Sequence, residues 1–231
     1  MDNKEVKEKL SDLYKDNWRG YIDNIRKTTN CAYPFLILPR RSYCEYDKRI
    51  MICGQETQGW GNELDGMNPD EVSPQRIMNI YNGFVNSGAY NSPYWNFSHR
   101  IEEALPEART VHNNIVKVGK RTGAGCDDSI NALALQHFNV FRRELEILRP
   151  NVILFLTGPN YDWRIKSVLG GFSARTVAPG MFIDRLSFAD TSLPPAFRTY
   201  HPGYIQRQGM FQQYAETIAK EISSIINSDA R

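Results

Sequence analysis

Three short segments carry the side chains best suited to chemistry: GQETQGW (54–60), HNNIVKVGK (112–120) and TYHPGYIQRQG (199–209). The first contains Glu56, whose carboxylate can orient a water molecule and stabilise an oxocarbenium-like sugar. The third contains His201, whose imidazole can donate a hydrogen bond to negative charge on a departing group. The second contains Asn114, whose amide offers both donors and an acceptor to a polar ligand edge. Together these groups suit the hydrolysis of a glycosidic bond.

Each of these residues also has an ordinary structural explanation. A glutamate after a strand is commonly a solvated loop residue or a helix cap, and a histidine before proline is commonly part of a turn. Asn114 can merely cap the end of a strand, and the neighbouring Asn113 can be the asparagine that faces outward. The chemical interpretation therefore depends on the elements that position these side chains.

Alternating apolar segments predict those elements. Runs of apolar residues predict strands, and apolar residues at intervals of three and four predict helices. Strands that alternate with helices indicate an α/β fold with a mainly parallel sheet, whose ligands bind at the carboxyl ends of the strands. The predicted strands are 35–38, 50–53, 110–118, 152–156 and 197–200, and the predicted helices are 4–28, 74–86, 95–105, 128–148 and 208–227.

Composition limits the class of protein. A chain of 231 residues with 41% hydrophobic content fits a single domain over 1–231, with residues 1–30 as a helical addition. Its 28 basic and 26 acidic residues give a net charge of +2, so nucleic-acid binding must rest on local charge. The four cysteines include no CxxC pair. From the charged, helix-like N-terminal residues and the short apolar runs, we expect neither a signal peptide nor a membrane-spanning segment. We expect a soluble cytoplasmic monomer that binds no membrane.

The ordered motifs resemble those of the uracil-DNA glycosylase superfamily. GQETQGW is similar to the family's water-activating loop, and HNNIVKV is similar to the strand that reads the base. The segment FRRELEILRPNVILFLTG (141–158) resembles the helix, proline and strand of the family's iron-sulfur branch. TYHPGYIQR resembles the TYHPAYLLR loop of the same branch. The resemblance covers residues from about 50 to the C-terminus, except 173–195. It implies a three-layer α/β/α sandwich with a central four-stranded, mainly parallel sheet.

Two departures from the family pattern affect the expected chemistry. Val118 stands where the iron-sulfur branch has a ligating cysteine, and a later ligand is replaced near His137. We therefore expect no iron-sulfur cluster, no other metal and no cofactor. Glu56 is one methylene longer than the aspartate of the best-known branch and lacks the Pro-Tyr that follows it there.

The resemblance implies roles for individual residues. Glu56 and His201 are expected to be catalytic, and Gln55, Trp60 and Asn114 to bind the base, although Trp60 can equally close the core beneath its loop. Ile205 matches the family's wedge leucine, and Tyr204 can share that role. The expected DNA-binding residues are Lys117, Lys120, Arg121, Tyr204, Ile205 and Arg207, with Arg198 as a further basic residue near the loops.

The resulting interpretation is a monofunctional DNA glycosylase. It would hydrolyse the N-glycosidic bond of a flipped-out uracil or modified pyrimidine, in single- or double-stranded DNA, for repair or for defence against phage DNA. Glu56, Asn114 and His201 should then converge on one pocket about a nucleobase wide. Two alternatives stay open: an inactive nucleic-acid-binding module of the same fold, and a small-molecule N-glycoside hydrolase.

Overall fold

A computed structural model describes residues 1–88 and 90–228 of the chain. The chain divides into two compact units, each built from three separate segments. The first comprises Met1–Cys44, Gln55–Gly88 and Asn114–Leu148, and the second comprises Glu45–Gly54, Ala89–Asn113 and Arg149–Arg231. The predicted single domain stays a prediction.

The first unit is mainly helical, with one small antiparallel sheet. Its N-terminal helix begins at the cap Asp2, whose carboxylate accepts from two backbone amides, and continues into a π-helical segment, Tyr21–Ile25. The elements are α1 (Asn3–Gly20), β1 (Cys31–Pro34), α2 (Arg41–Glu45), α3 (Pro74–Ser87), β4 (Val118–Lys120), α5 (Asp128–His137) and α6 (Phe141–Leu148), with 3-10 turns at Asn62–Leu64 and Pro69–Glu71. Strand β1 pairs with β4.

A buried ion pair joins three parts of the first unit. The Lys117 ammonium lies 2.8 Å from the Glu144 carboxylate on α6, with side chains 4% and 0% exposed. The same carboxylate accepts a 2.6 Å hydrogen bond from the Tyr14 hydroxyl on α1, which in turn accepts from the backbone amide of Ile37. Burial first, and then the charge of Glu144, raise the pKa of Tyr14 well above its ordinary value. The tyrosine is therefore a neutral donor to the pair.

The second unit is an α/β structure with a mixed six-stranded sheet. Its strand order is β3-β2-β5-β8-β7-β6, in which β2, β5 and β8 are parallel neighbours and β7 runs antiparallel to both β8 and β6. The elements are β2 (Arg49–Gly54), α4 (Pro93–Ala104), β3 (Arg109–Asn114), β5 (Val152–Phe155), α7 (Asp162–Leu169), β6 (Phe172–Thr176), β7 (Ile183–Phe188), β8 (Ala196–Thr199), α8 (Pro202–Arg207) and α9 (Phe211–Ile226), with a 3-10 turn at Pro159–Tyr161. Asn114, the last residue of β3, belongs to the first unit.

Apolar side chains from the central strands and from α4, α8 and α9 form the core of the second unit. The central strands β5 and β8 are buried along their whole length, as expected for parallel strands covered on both faces. Helix α9 contributes residues spaced by three and four, which include Ile218, Ile222 and Ile225. A short helix, α8, contributes Ile205 to the same cluster.

The α/β class and most predicted elements are confirmed, and the observed sheet is mixed and six-stranded. The predicted strands 50–53, 152–156 and 197–200 correspond to β2, β5 and β8. Four of the five predicted helices begin and end within about three residues of the predicted positions, if the π-helical segment is counted with α1. The sheet has six strands rather than four because β6 and β7 form a hairpin over 172–188 that extends it antiparallel.

Three further predictions need correction. The strand expected at 110–118 ends at Asn114, and Val118 begins a separate strand, β4, that pairs with β1. The strand expected at 35–38 is an irregular buried segment, and the strand next to it is β1, which ends at Pro34. The single helix expected over 128–148 is two helices, because Phe138 adopts φ −146° and ψ 44° and stops α5. Phe138 and Phe141 are buried on both sides of this break, so the apolar spacing continues where the helix does not.

Across residues 1–88 and 90–228, the structure contains no helix that is both long and apolar enough to cross a membrane.

We predict that Glu144→Gln lowers the free energy of unfolding by about 3–5 kcal/mol, because it leaves the Lys117 ammonium buried opposite a neutral amide. Urea unfolding monitored by circular dichroism measures the change. The matched control is Glu146→Gln on the same helix, whose carboxylate forms surface ion pairs with Arg142 and Arg143 and should contribute less than about 1 kcal/mol. Equal losses in the two variants would show that the buried pair has no special role.

Candidate functional site

The loop that carries Glu56 is fastened to the segment that follows Asn114. The Gln55 carbonyl accepts a 3.0 Å hydrogen bond from the Val116 amide, and the Gly59 amide donates at 2.9 Å to the Lys120 carbonyl. Glu56 lies between these two attachments and is half-buried. The backbone around the carboxylate is therefore fixed on both sides within the first unit.

Gly119 allows this loop to approach strand β4. A Cβ atom at Gly119 would lie 1.9 Å from the Thr57 carbonyl oxygen, well inside van der Waals contact. Only glycine fits at this position without displacing the backbone next to Glu56. The sequence places Gly119 inside the second motif but gives no sign of this contact.

Of the two neighbouring asparagines, Asn113 packs toward the sheet. Its side-chain amide donates to the Met51 sulfur on β2 at 3.7 Å, and the residue is fully buried. Successive residues of a strand point to opposite faces, so Asn114 lies on the other face of β3. Asn114 is also buried, at 7% exposed, and its recognition role stays a prediction.

Trp60 packs among aromatic rings of the first unit. Its ring centroid lies 4.8 Å from that of Phe35 and 5.7 Å from that of Phe84, and the residue is only 9% exposed. The backbone of Trp60 accepts a hydrogen bond from the Tyr33 amide. These contacts support its structural role beneath the loop rather than base binding.

The predicted basic residues differ in how much of their charge reaches the surface. Lys117 is paired internally with Glu144, and Arg198 forms buried ion pairs with Asp162 and Asp184 in the second unit. The remaining predicted cations are at least partly exposed, and they are Lys120, Arg121 and Arg207. Arg121 lies 3.2 Å from Asp65, which offsets part of its charge.

His201 caps helix α8 in the second unit. Its Nδ1 accepts a 3.1 Å hydrogen bond from the Gly203 amide, so Nδ1 carries no proton and the neutral ring is protonated at Nε2. Burial, and then the positive charge of Arg207, lower the pKa of His201 below its ordinary value of 6.5. Within the described residues, Nε2 has no hydrogen-bond partner. The ring is therefore a neutral donor available to a ligand.

The two predicted wedge residues have different environments. Ile205 is 1% exposed and packs in the core of the second unit, whereas Tyr204 is 41% exposed. The Arg207 guanidinium lies 6.0 Å from the centre of the Tyr204 ring. Tyr204 and Arg207 are thus the surface groups of this helix.

The sequence interpretation missed a partly buried polar cluster around His112, the first residue of the second motif. His112 Nε2 lies 3.4 Å from the Glu102 carboxylate, and His112 Nδ1 lies 3.3 Å from the Tyr94 hydroxyl. Burial alone would raise the pKa of Glu102, but hydrogen bonding to His112 and to Thr110 lowers it overall. His112 opens the motif HNN, which is the signal that could have revealed this cluster.

Across residues 1–88 and 90–228, no group of three or more His, Cys, Asp and Glu side chains is arranged to hold a metal ion. Three of the cysteines are buried and Cys126 is half-buried, and these four residues form no disulfide with one another.

Comparison with models of known protein families and with curated proteins gave no match.

We predict that Gly119→Ala disrupts the Glu56 loop. Overpacking of this kind typically costs about 1–3 kcal/mol, and relief of the clash requires the attachments at Val116 and Gly59 to open. Hydrogen exchange measured by mass spectrometry should show faster exchange in peptides that cover 55–60 and 116–121. Gly66→Ala is the control, because a Cβ there meets no atom within 4 Å, and its exchange should match that of the wild type. Unchanged exchange in both variants would contradict the tight contact.

We also predict that His201 titrates below 6.5 and that Arg207→Ala raises its pKa, because the variant removes a neighbouring positive charge. NMR titration of the imidazole measures both values. Lys220→Ala, on the exposed side of α9, should leave the pKa unchanged. The lowered pKa means that the unfolded chain binds a proton at His201 more readily than the folded chain does. The contribution of His201 to the free energy of unfolding is therefore complete above about pH 6.5 and is lost as the pH falls. A pKa above 6.5 would contradict this description of the site.

Proposed function

We propose that the chain is a monofunctional DNA glycosylase of the uracil-DNA glycosylase type. It would hydrolyse the N-glycosidic bond of a flipped-out uracil or modified pyrimidine and leave an abasic site. The observation that carries the proposal is the neutral His201, which presents an unused Nε2 donor directly after strand β8. A neutral, half-buried donor is suited to the negative charge that develops on a departing base.

The order of the strands supports a fold of this type. Strands β3, β2, β5 and β8 are adjacent in the sheet, and β2, β5 and β8 are parallel. We propose that these four strands are the central sheet of a three-layer α/β/α sandwich, to which the hairpin β6–β7 is an addition. Each motif then follows a strand end: Gln55 follows β2, Asn114 ends β3, and Tyr200 follows β8.

The proposed reaction assigns a separate role to each of Glu56, Asn114 and His201. The Glu56 carboxylate orients a water molecule and stabilises the sugar as it gains positive charge. The bond between the sugar C1′ and the base nitrogen breaks, and its electron pair leaves with the base. His201 donates its Nε2 hydrogen bond to the charge on that base, while Asn114 and Gln55 bind its polar edge. Water adds to C1′ as its proton passes to Glu56.

The proposed DNA contacts are restricted to side chains that reach the surface. Lys120, Arg121 and Arg207 retain exposed charge for the phosphate backbone, and Tyr204 is the aromatic group beside His201. We assign Lys117 and Ile205 to folding instead, because one is paired with Glu144 and the other lies in the core.

A panel of DNA substrates tests this function. The panel contains uracil, hypoxanthine or modified cytosines, and base release is detected as abasic sites. We predict that Glu56→Gln slows single-turnover release by about a hundredfold or more, because the carboxylate acts mainly in the transition state, while DNA affinity is unchanged. Glu63→Gln removes an exposed carboxylate from the same loop and should behave like wild type. If the wild type binds every substrate and releases no base, the protein is a binding module instead.

A further inference from the structure

Two large aromatic side chains of the second unit are exposed beside adjacent strand ends. Trp163 is 45% exposed on α7, which follows β5, and Tyr204 is 41% exposed on α8, which follows β8. Strands β5 and β8 are parallel neighbours, so their carboxyl ends lie at the same edge of the sheet. Exposed tryptophan and tyrosine are residues that commonly dominate binding surfaces.

Packing within the second unit connects the two strand ends. The Gly158 amide donates a 2.8 Å hydrogen bond to the Thr199 carbonyl, and a Cβ at Gly158 would lie 3.9 Å from the Tyr200 ring. The centroid of the Tyr200 ring lies 4.6 Å from that of Tyr204 and 4.3 Å from that of Phe182, on which it stacks. The exposed Tyr204 ring therefore packs on Tyr200, which in turn packs on Phe182.

An arginine accompanies each exposed ring. The Arg164 guanidinium lies 3.8 Å from the centre of the Trp163 ring, and the Arg207 guanidinium lies 6.0 Å from that of Tyr204. Arg164 is itself buried, so its position against Trp163 is fixed by packing. The exposed aromatic faces can stack on the bases of an unpaired strand, and the exposed Arg207 adds positive charge for its phosphates.

We infer that Trp163 and Tyr204 form a stacking surface for unpaired nucleotides of single-stranded DNA. The inference rests on the proposed function and deepens it, since it specifies the form in which the substrate is presented. Bases in a duplex are stacked on one another and are not available to these rings, so the surface favours single-stranded or locally opened DNA over an intact duplex.

Binding of a fluorescein-labelled oligothymidylate of about ten nucleotides tests the inference by anisotropy. This probe contains no excisable base. We predict that Trp163→Ala weakens binding by about 5- to 150-fold, the effect of losing one stacked base, and that Trp163→Phe retains most of the affinity. Tyr204→Ala should also weaken binding, with Tyr204→Phe close to wild type. An equally long duplex should bind wild type more weakly than the single strand does.

Tyr46 supplies a matched control. It is 36% exposed, the Arg109 guanidinium lies 3.7 Å from its ring centre, and it precedes β2, which places it at the opposite edge of the same sheet. Tyr46→Ala should bind oligothymidylate like wild type. An equal loss in Tyr46→Ala and Trp163→Ala would show that binding is not confined to the proposed surface, and would overturn it.

Tryptophan fluorescence gives a second measurement that needs no variant to fold. Trp18, Trp60 and Trp95 are each at most 9% exposed, so Trp163 should account for most of the quenching by iodide. Oligothymidylate should protect wild-type fluorescence from iodide.

Binding and base release separate the two proposals. If Trp163-dependent binding occurs but no substrate loses its base, the stacking surface stands and the glycosylase proposal fails. Normal base release, together with wild-type affinity of Trp163→Ala or absent protection of Trp163, overturns the stacking surface instead. A protein partner that protects Trp163 when oligothymidylate does not would likewise overturn it.

Discussion

The ion pair between Lys117 and Glu144 is the interaction on which the geometry around Glu56 depends. Burial of both charges is costly, and the pair is tolerated because Tyr14 supplies a further hydrogen bond to the carboxylate. The backbone of Lys117 also accepts a 2.7 Å hydrogen bond from the Phe35 amide. A single residue thereby fixes the register of the segment that holds the Glu56 loop. The specificity of this arrangement, rather than net stability, is the physical reason for a buried charge.

The second unit contains a corresponding arrangement around Arg198. Its guanidinium, on β8, pairs with Asp184 on β7 and with Asp162 at the start of α7. These pairs tie the hairpin and α7 to the strand that ends just before His201. In both units, a buried cation beside a motif positions the backbone through its ion pairs.

The sequence predicted the central strands and most helices because their burial produces a simple pattern. Buried parallel strands are continuous apolar runs, and helices α3, α4 and α9 bury one face at helical spacing. The hairpin β6–β7 was not predicted, because β6 is exposed over four of its five residues and so lacks apolar alternation. The break between helices α5 and α6 at Phe138 was not predicted, because the spacing of apolar residues indicates burial but not a local change in backbone angles.

The sequence predicts which residue types lie near the strand ends, but it does not predict whether a long side chain there is buried or exposed. Lys117 and Arg207 both occur in motif segments, yet one is buried beside Glu144 and the other is exposed. Their difference arises from partners far away in the sequence, which local pattern does not identify. Ile205 and Tyr204 illustrate the same limit, since helix α8 directs neighbouring side chains to the core and to the surface.

The most direct test of the central claim is a crystal structure of the Glu56→Gln variant with single-stranded DNA that contains the base the wild type releases. The slowed variant should hold one extruded nucleotide, with His201 Nε2 within about 3.2 Å of a polar atom of its base. A base that makes no contact with His201, or DNA bound elsewhere on the protein, would contradict the proposed role of this histidine.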